Sequence, residues 1–172
     1  MAIDGRGMFL TCKFAIEAML PTGGGGAIVC LSSISGLAGQ KRQAAYGPAK
    51  FIATGMTKHL AVEWADRGIR VNAVAPPGTI RTERVKRLPE EPGGSEYLAA
   101  VESMHPMGRI GEPAEVASAI VFLASDDASF ITGACCPSTV DTSRSSACVR
   151  FRAGGSTSPA PCWRRCGRPR RG

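Results

Sequence analysis

Three residues of this sequence have the types and the spacing to move a proton to or from a carbonyl oxygen: Ser33, Tyr46 and Lys50. Tyr46 and Lys50 stand four apart in Ala45-Tyr46-Gly47-Pro48-Ala49-Lys50, so on a helix they share one face, a single turn apart. A phenol titrates near about 10, too high for acid–base work at neutral pH, and a neighbouring ammonium favours the phenolate. Ser33 lies upstream, where the apolar run Ala27-Ile28-Val29-Cys30-Leu31 gives way to Ser32-Ser33-Ile34-Ser35-Gly36. A serine hydroxyl at that point can hold a substrate oxygen in place. Taken alone, Tyr-x-x-x-Lys is a weak pattern that ordinary composition supplies by chance, and Ser-Ser before Gly is common turn chemistry. The surrounding elements decide its weight.

The β-branched run ending in Ser-Ser predicts a buried strand over 27–32 that enters a loop. From Ala44 to about Arg67 the pattern is helical, with Tyr46, Phe51, Met56, Leu60, Ala61 and Trp64 as its apolar marks and Gly68 as its C-terminal stop. Small residues (Ala44, Ala45, Gly47, Ala49, Ala53, Gly55) crowd its first half and predict close approach of another helix or a flat ligand. Ile69 to Ala75 reads as a second strand, closed by Pro76-Pro77-Gly78. Strand, helix, strand in this order implies a right-handed parallel crossover in an α/β sheet. Ligands of such sheets bind beyond the carboxyl ends of the strands, where both Ser33 and the segment Pro77 to Thr82 fall.

Upstream, Met8-Phe9-Leu10 through Ile16, Met19 and Leu20 repeat at helical spacing, so a helix is expected to begin near Gly5 or Gly7 and to stop at Pro21. Gly23 to Gly26 form a linker rather than a phosphate cradle, because a cradle follows a strand and opens a helix whereas these glycines precede a strand. Residues 83–107 are charged, irregular and rich in Pro and Gly, with a short helix expected at 95–104. A long excursion from a strand end is either a lid or an ordinary surface insertion. Glu112-Pro113-Ala114-Glu115 opens a further helix, with Val116, Ile120, Val121, Phe122 and Leu123 as its expected buried face, and Phe130 to Ala134 leads toward another strand.

The length, 172 residues, suits one domain, and an apolar share of 44% is that of a globular chain. No apolar run is long enough to cross a membrane, and no basic start followed by an apolar core and a cleavage site marks a secretory signal, so a cytoplasmic chain without a membrane partner is expected. The net charge of +7 invites a nucleic-acid reading, but it is confined to the tail: residues 1–140 balance 13 Lys and Arg against 13 Asp and Glu. The tail, 137–172, is rich in Arg, Ser, Pro and Cys and holds little beyond Trp163 on which bases could stack. A disordered solvated segment is expected there, and nucleic acid is not an expected partner. Its cysteines follow no disulfide framework, and Cys162-x-x-x-Cys166 with Cys148 is not a zinc spacing, so no metal site is expected.

Residues 5–135 resemble the C-terminal two-thirds of a short-chain dehydrogenase/reductase. The resemblance rests on Gly7-Met8-Phe9-Leu10, Ile28 to Ser33, Tyr46-Gly47-Pro48-Ala49-Lys50, Arg70 to Pro76, Gly78-Thr79-Ile80-Arg81-Thr82, Arg109-Ile110-Gly111-Glu112-Pro113, and Phe122 to Asp126 followed by Ile131-Thr132-Gly133, in that order and spacing. It implies a partial Rossmann-like, doubly wound fold over 1–136 and an NAD- or NADP-dependent oxidoreductase acting on a small alcohol or carbonyl compound. In such an enzyme Tyr46 is the acid–base. Lys50 binds the nicotinamide ribose, Ser33 orients the substrate oxygen, and Gly78, Ile80 and Thr82 contact the cofactor. The resemblance also implies oligomers through the helices at 8–20 and 44–67. Three departures stand out. Relatives carry further residues ahead of the segment matched here, including the Gly-rich turn. Asp4 stands where the family has asparagine, and the family's closing Val-Asp-Gly-Gly strand is not matched after Cys136. A rival expectation follows, of a catalytically inactive remnant that serves as a helix-mediated dimerisation module.

Overall fold

The computed structural model of the chain describes residues 2–23 and 25–137. Its sheet has three parallel strands in the order β1 (Gly26–Leu31), β2 (Ile69–Ala75), β3 (Cys135–Pro137), with Gly26 opposite Ile69 and Ala73 opposite Cys135. β2 is central and buried along nearly its whole length, as a parallel strand covered on both faces is. The predicted tail at 137–172 lies outside the described residues, apart from Pro137 at the end of β3.

Side chains of β2 alternate between two layers. Ile69, Val71 and Ala73 meet α1 (Met8–Met19) and α2 (Tyr46–Trp64) through Cys12, Ile16, Ala53 and Ala61. Val74 faces the other way, onto Val116 and Leu123 of α5 (Pro113–Ala124). Arg70 and Asn72 share that second face and are spent on structure. The Arg70 guanidinium donates to the carbonyls of Leu123 at 2.8 Å and Ser125 at 2.9 Å, closing the C-terminus of α5. Asn72, 1% exposed, donates to the Ile131 carbonyl at 2.8 Å and accepts from the Ala134 amide at 3.0 Å, pinning the segment that delivers β3.

The strands and the helix between them lie where the sequence places them, but four details differ. Helical backbone begins at Ala2, not at Gly5 or Gly7, because a π-helical turn (Ala2–Gly7) runs straight into α1. Gly5 is buried against α2, and a Cβ there would stand 2.8 Å from the Ile52 side chain, so the glycine marks close packing rather than a helix start. On α5, Val116, Ile120 and Leu123 face the core, whereas Val121 and Phe122 point outward at 67% and 45% exposure: one helix face buries only positions three and four apart. The excursion 83–107 holds two helices, α3 (Glu83–Arg87) and α4 (Gly94–Met104), and is closed at its base by pairing of Ile80 with Gly111. Finally, the small residues of α2 admit a loop as well as the helical turn Ala2–Gly7.

Candidate active site

That loop is the one leaving β1. The Ser32 amide donates to the Val74 carbonyl at 2.8 Å and the Ile34 amide to the Pro76 carbonyl at 3.1 Å, so the ends of β1 and β2 are laced together. Ser33 has extended backbone and caps the short turn Ile34–Gly36, its Oγ accepting from the Ser35 amide at 3.2 Å. The turn then presses on α2. Ser32 Oγ donates to the Lys50 carbonyl at 3.0 Å, and Thr54 Oγ1 donates to the Gly36 carbonyl at 2.9 Å. Only glycine fits at position 36, because a Cβ there would sit 2.5 Å from the Lys50 carbonyl oxygen and against Ser32 Oγ.

Tyr46 is the first residue of α2 and is 43% exposed. One turn on, the Lys50 ammonium lies 5.5 Å from the centre of the Tyr46 ring, as the four-residue spacing requires. Lys50 is largely buried. It donates to Asp4 Oδ1 at 3.1 Å and, more weakly, to the Leu31 carbonyl at 3.4 Å. Two of its three N–H groups are thus committed, and one is left for a ligand. Asp4 reaches Lys50 because the π turn brings it there; the sequence marks Asp4 only as a departure from the family pattern, and the ion pair belongs to the tertiary structure. Ser33 arrives at the same end of the sheet but makes no hydrogen bond to Tyr46 or Lys50 among the described residues.

The other side of the site is the segment after β2. Pro77 is buried, Gly78 stands in open space, and Ile80 is held by its pairing with Gly111. The Thr82 amide donates to the Ile80 carbonyl at 2.7 Å, while Thr82 itself is exposed and opens α3 without a side-chain cap. Arg81 between them pairs with Glu102 at 3.2 Å and Glu112 at 3.0 Å, tying α4 and the start of α5 to this segment. A cavity of about 430 Å³ opens here between Ile80, Arg84, Val85, Leu88 and Tyr97, and a smaller one of about 130 Å³ between Pro77, Ile80, Met107, Arg109 and Glu115. Neither is lined by Ser33, Tyr46 or Lys50, so both belong to the Ile80 side of the cleft. The Arg109 guanidinium, bidentate on Glu115 at 2.6 and 2.8 Å, holds that carboxyl down at about 2, helped by the Glu112 amide in a capping box. Among the described residues no three His, Cys, Asp or Glu side chains are placed to hold a metal ion.

This geometry has close counterparts. A family model described as enoyl-(acyl carrier protein) reductase matches residues 1–141. The uncharacterized oxidoreductase YxbG of Bacillus subtilis is 41% identical over 136 residues, covering 77% of this chain and 49% of its own. Cyclohexanol dehydrogenase of an Acinetobacter species is 44% identical over 126 residues, covering 73% of this chain and 46% of its own. Among solved structures, ElxO with NADP bound superposes with a TM-score of 0.73 at 38% identity, over 81% of this chain and 54% of that one. Levodione reductase superposes with a TM-score of 0.73 at 33% identity, over 85% and 56%. The chain therefore spans about half the length of the curated relatives it matches. With the family model matched over most of its length and relatives of this kind in sequence and structure, the chain belongs to the short-chain dehydrogenase/reductase family.

Proposed function

We propose that this chain carries the proton-transfer half of an NAD- or NADP-dependent oxidoreductase that interconverts a small alcohol and its carbonyl compound. The observation that carries this reading is the Tyr46–Lys50–Asp4 cluster, set at the carboxyl end of a parallel sheet with the phenol exposed and the ammonium held behind it. The nicotinamide group, when bound, supplies or accepts the hydride. The residues present fit its nicotinamide end: Lys50 keeps an N–H for ribose hydroxyls, Gly78 leaves space, and the exposed Thr82 offers a hydroxyl. In the reductive direction the Tyr46 hydroxyl gives its proton to the carbonyl oxygen, and the Lys50 ammonium stabilises the phenolate left behind. Ser33 accepts from the Ser35 amide, which leaves its own O–H to donate to the same substrate oxygen. Oxidation of an alcohol runs these transfers backwards. The substrate class follows those relatives whose names give a small alcohol, cyclohexanol dehydrogenase and a galactitol 2-dehydrogenase among them.

The test is a fluorescence titration of the full chain with reduced nicotinamide dinucleotides, followed by oxidation of the bound cofactor in the presence of cyclic ketones. Saturable binding at millimolar cofactor or below is expected. Tyr46→Phe should lower turnover by about 10²- to 10⁴-fold, the usual worth of a general acid, while cofactor still binds. Absence of binding to the folded chain would remove the reading.

A second reading, association through the outer faces of α1 and α2, is favoured by a separate observation. Phe9 and Phe14 on α1 and Phe51 and Val62 on α2 are 46–83% exposed. So many large apolar side chains on two neighbouring helices mark an interface.

A further inference from the structure

Behind the site, on the α1 side of the sheet, two thiols face each other that the chemistry above does not use. Cys12 of α1 and Cys30 of β1 are 1% and 2% exposed, and their sulfurs are 3.9 Å apart. A disulfide bond is about 2.05 Å long, so an approach of about 2 Å joins them. Their surroundings are apolar: Ile16, Ala53, Val71 and Ala73 share the cluster. The Thr57 hydroxyl is committed to the Ala53 carbonyl at 2.8 Å. The hydrogen bond between the two sulfurs draws the Cys30 thiol down and pushes the Cys12 thiol up, so Cys30 is the more acidic of the pair and the better nucleophile.

We propose that Cys12 and Cys30 form a peroxide-oxidisable dithiol whose disulfide staples α1 to β1. The Cys30 sulfur attacks one oxygen of a hydroperoxide, the O–O bond breaks, and with hydrogen peroxide a sulfenic acid and one water result. The Cys12 sulfur then attacks the Cys30 sulfur, the S–O bond breaks, and the second water leaves as the S–S bond forms. Both thiol protons end in the two waters, and two electrons pass from the thiols to the peroxide. Burial makes entry slow rather than impossible. β1 is the outer strand of the described sheet, and local displacement of α1 admits a molecule as small as peroxide without global unfolding. The staple has a consequence for the site. α1 is continuous with the turn that carries Asp4, and β1 ends at Leu31, so it joins the two elements whose acceptors hold the Lys50 ammonium.

The experiment treats the full reduced chain with hydrogen peroxide, blocks free thiols with an alkylating agent in acid-denatured protein, and maps the digest by mass spectrometry. A peptide pair joined through Cys12 and Cys30, two hydrogens lighter than the separate peptides and released by dithiothreitol, is expected. Cys12→Ser should leave Cys30, and Cys30→Ser should leave Cys12, as a lone thiol whose sulfenic acid dimedone captures. Recovery of both cysteines as free thiols, under peroxide sufficient to oxidise Cys135, would overturn the proposal. So would linkage of either one to a different cysteine. The wild-type map decides this whether or not the serine variants fold, and it does not depend on the oxidoreductase reading.

Discussion

The Lys50 ammonium donates to a carboxylate on one element and a carbonyl on another, so its position depends on two backbones at once. Asp4 contributes the charged partner. With Asp4 40% exposed, the pair adds under about 1 kcal/mol to stability, and its value is positional instead. Asp4→Asn keeps an acceptor for Lys50 and removes the charge; Asp4→Ala removes both. Turnover is expected to fall by less than about tenfold in the asparagine variant and by about tenfold or more in the alanine variant, since misplacing a catalytic group is costlier than weakening its tether. Steady-state rates at saturating cofactor, beside melting temperatures that stay near wild type, check this. Equal losses in the two variants would mean that charge, not placement, is what Asp4 supplies. The proximity of Tyr46 and Lys50 was legible in the sequence because one helical turn defines it. The Asp4–Lys50 contact was not, because the residues are far apart in the chain and meet only through the π turn packed on α2.

At the scale of elements, β2 does the positioning with its two polar residues. Asn72→Ala would leave the part-buried Ala134 amide without its partner and the Ile131 carbonyl with only the longer contact from Arg70 at 3.4 Å, at an expected cost of roughly 1–3 kcal/mol. Urea unfolding should show a lower midpoint with an unchanged slope. The α5 capping box carries a pH signature. Arg109 and the Glu112 amide depress the Glu115 carboxyl to about 2. Its contribution to stability is therefore fully present above the ordinary carboxylate range, near about 4.5, and is lost as pH falls toward 2. The melting-temperature gap between wild type and Glu115→Gln should accordingly be constant above pH 5 and close between about pH 4.5 and pH 2. A gap that persists at pH 2 would place the effect in packing rather than in the ionised carboxylate. The helix itself was readable from Glu-Pro-x-Glu, while the outward turn of Val121 and Phe122 required knowing which stripe of α5 meets β2.

Among the described residues, large apolar side chains stand exposed on the outer faces of α1 and α2 and on α5, and β1 is the outer strand of the described sheet. Phe51 and Val62, eleven residues apart on α2, lie on one helix face. A Phe51→Glu, Val62→Glu double variant should therefore reduce the sedimentation-derived mass from a dimer or larger to the monomer, with helical content retained. Self-association that survives the change would point to the strand edge as its route, since an unpaired parallel edge is itself a template for pairing. The chain superposes on solved relatives over 81–85% of its own length and spans 54–56% of theirs, with a core between α1, α2 and the sheet formed from residues within it.

What the sequence by itself determined was local and periodic. The β2 run, the 44–67 helix, the Gly68 stop and the α5 start all follow from patterns of a few residues, and so does the tyrosine–lysine pair that rides on one of them. What only the tertiary structure decided was every contact between distant segments. Asp4 on Lys50, Gly36 against α2, Asn72 beneath the 131–134 segment, and the two thiols of Cys12 and Cys30 brought face to face are all of this kind. No periodicity encodes them, because each depends on how a crossover helix and its neighbours settle on one particular face of a parallel sheet.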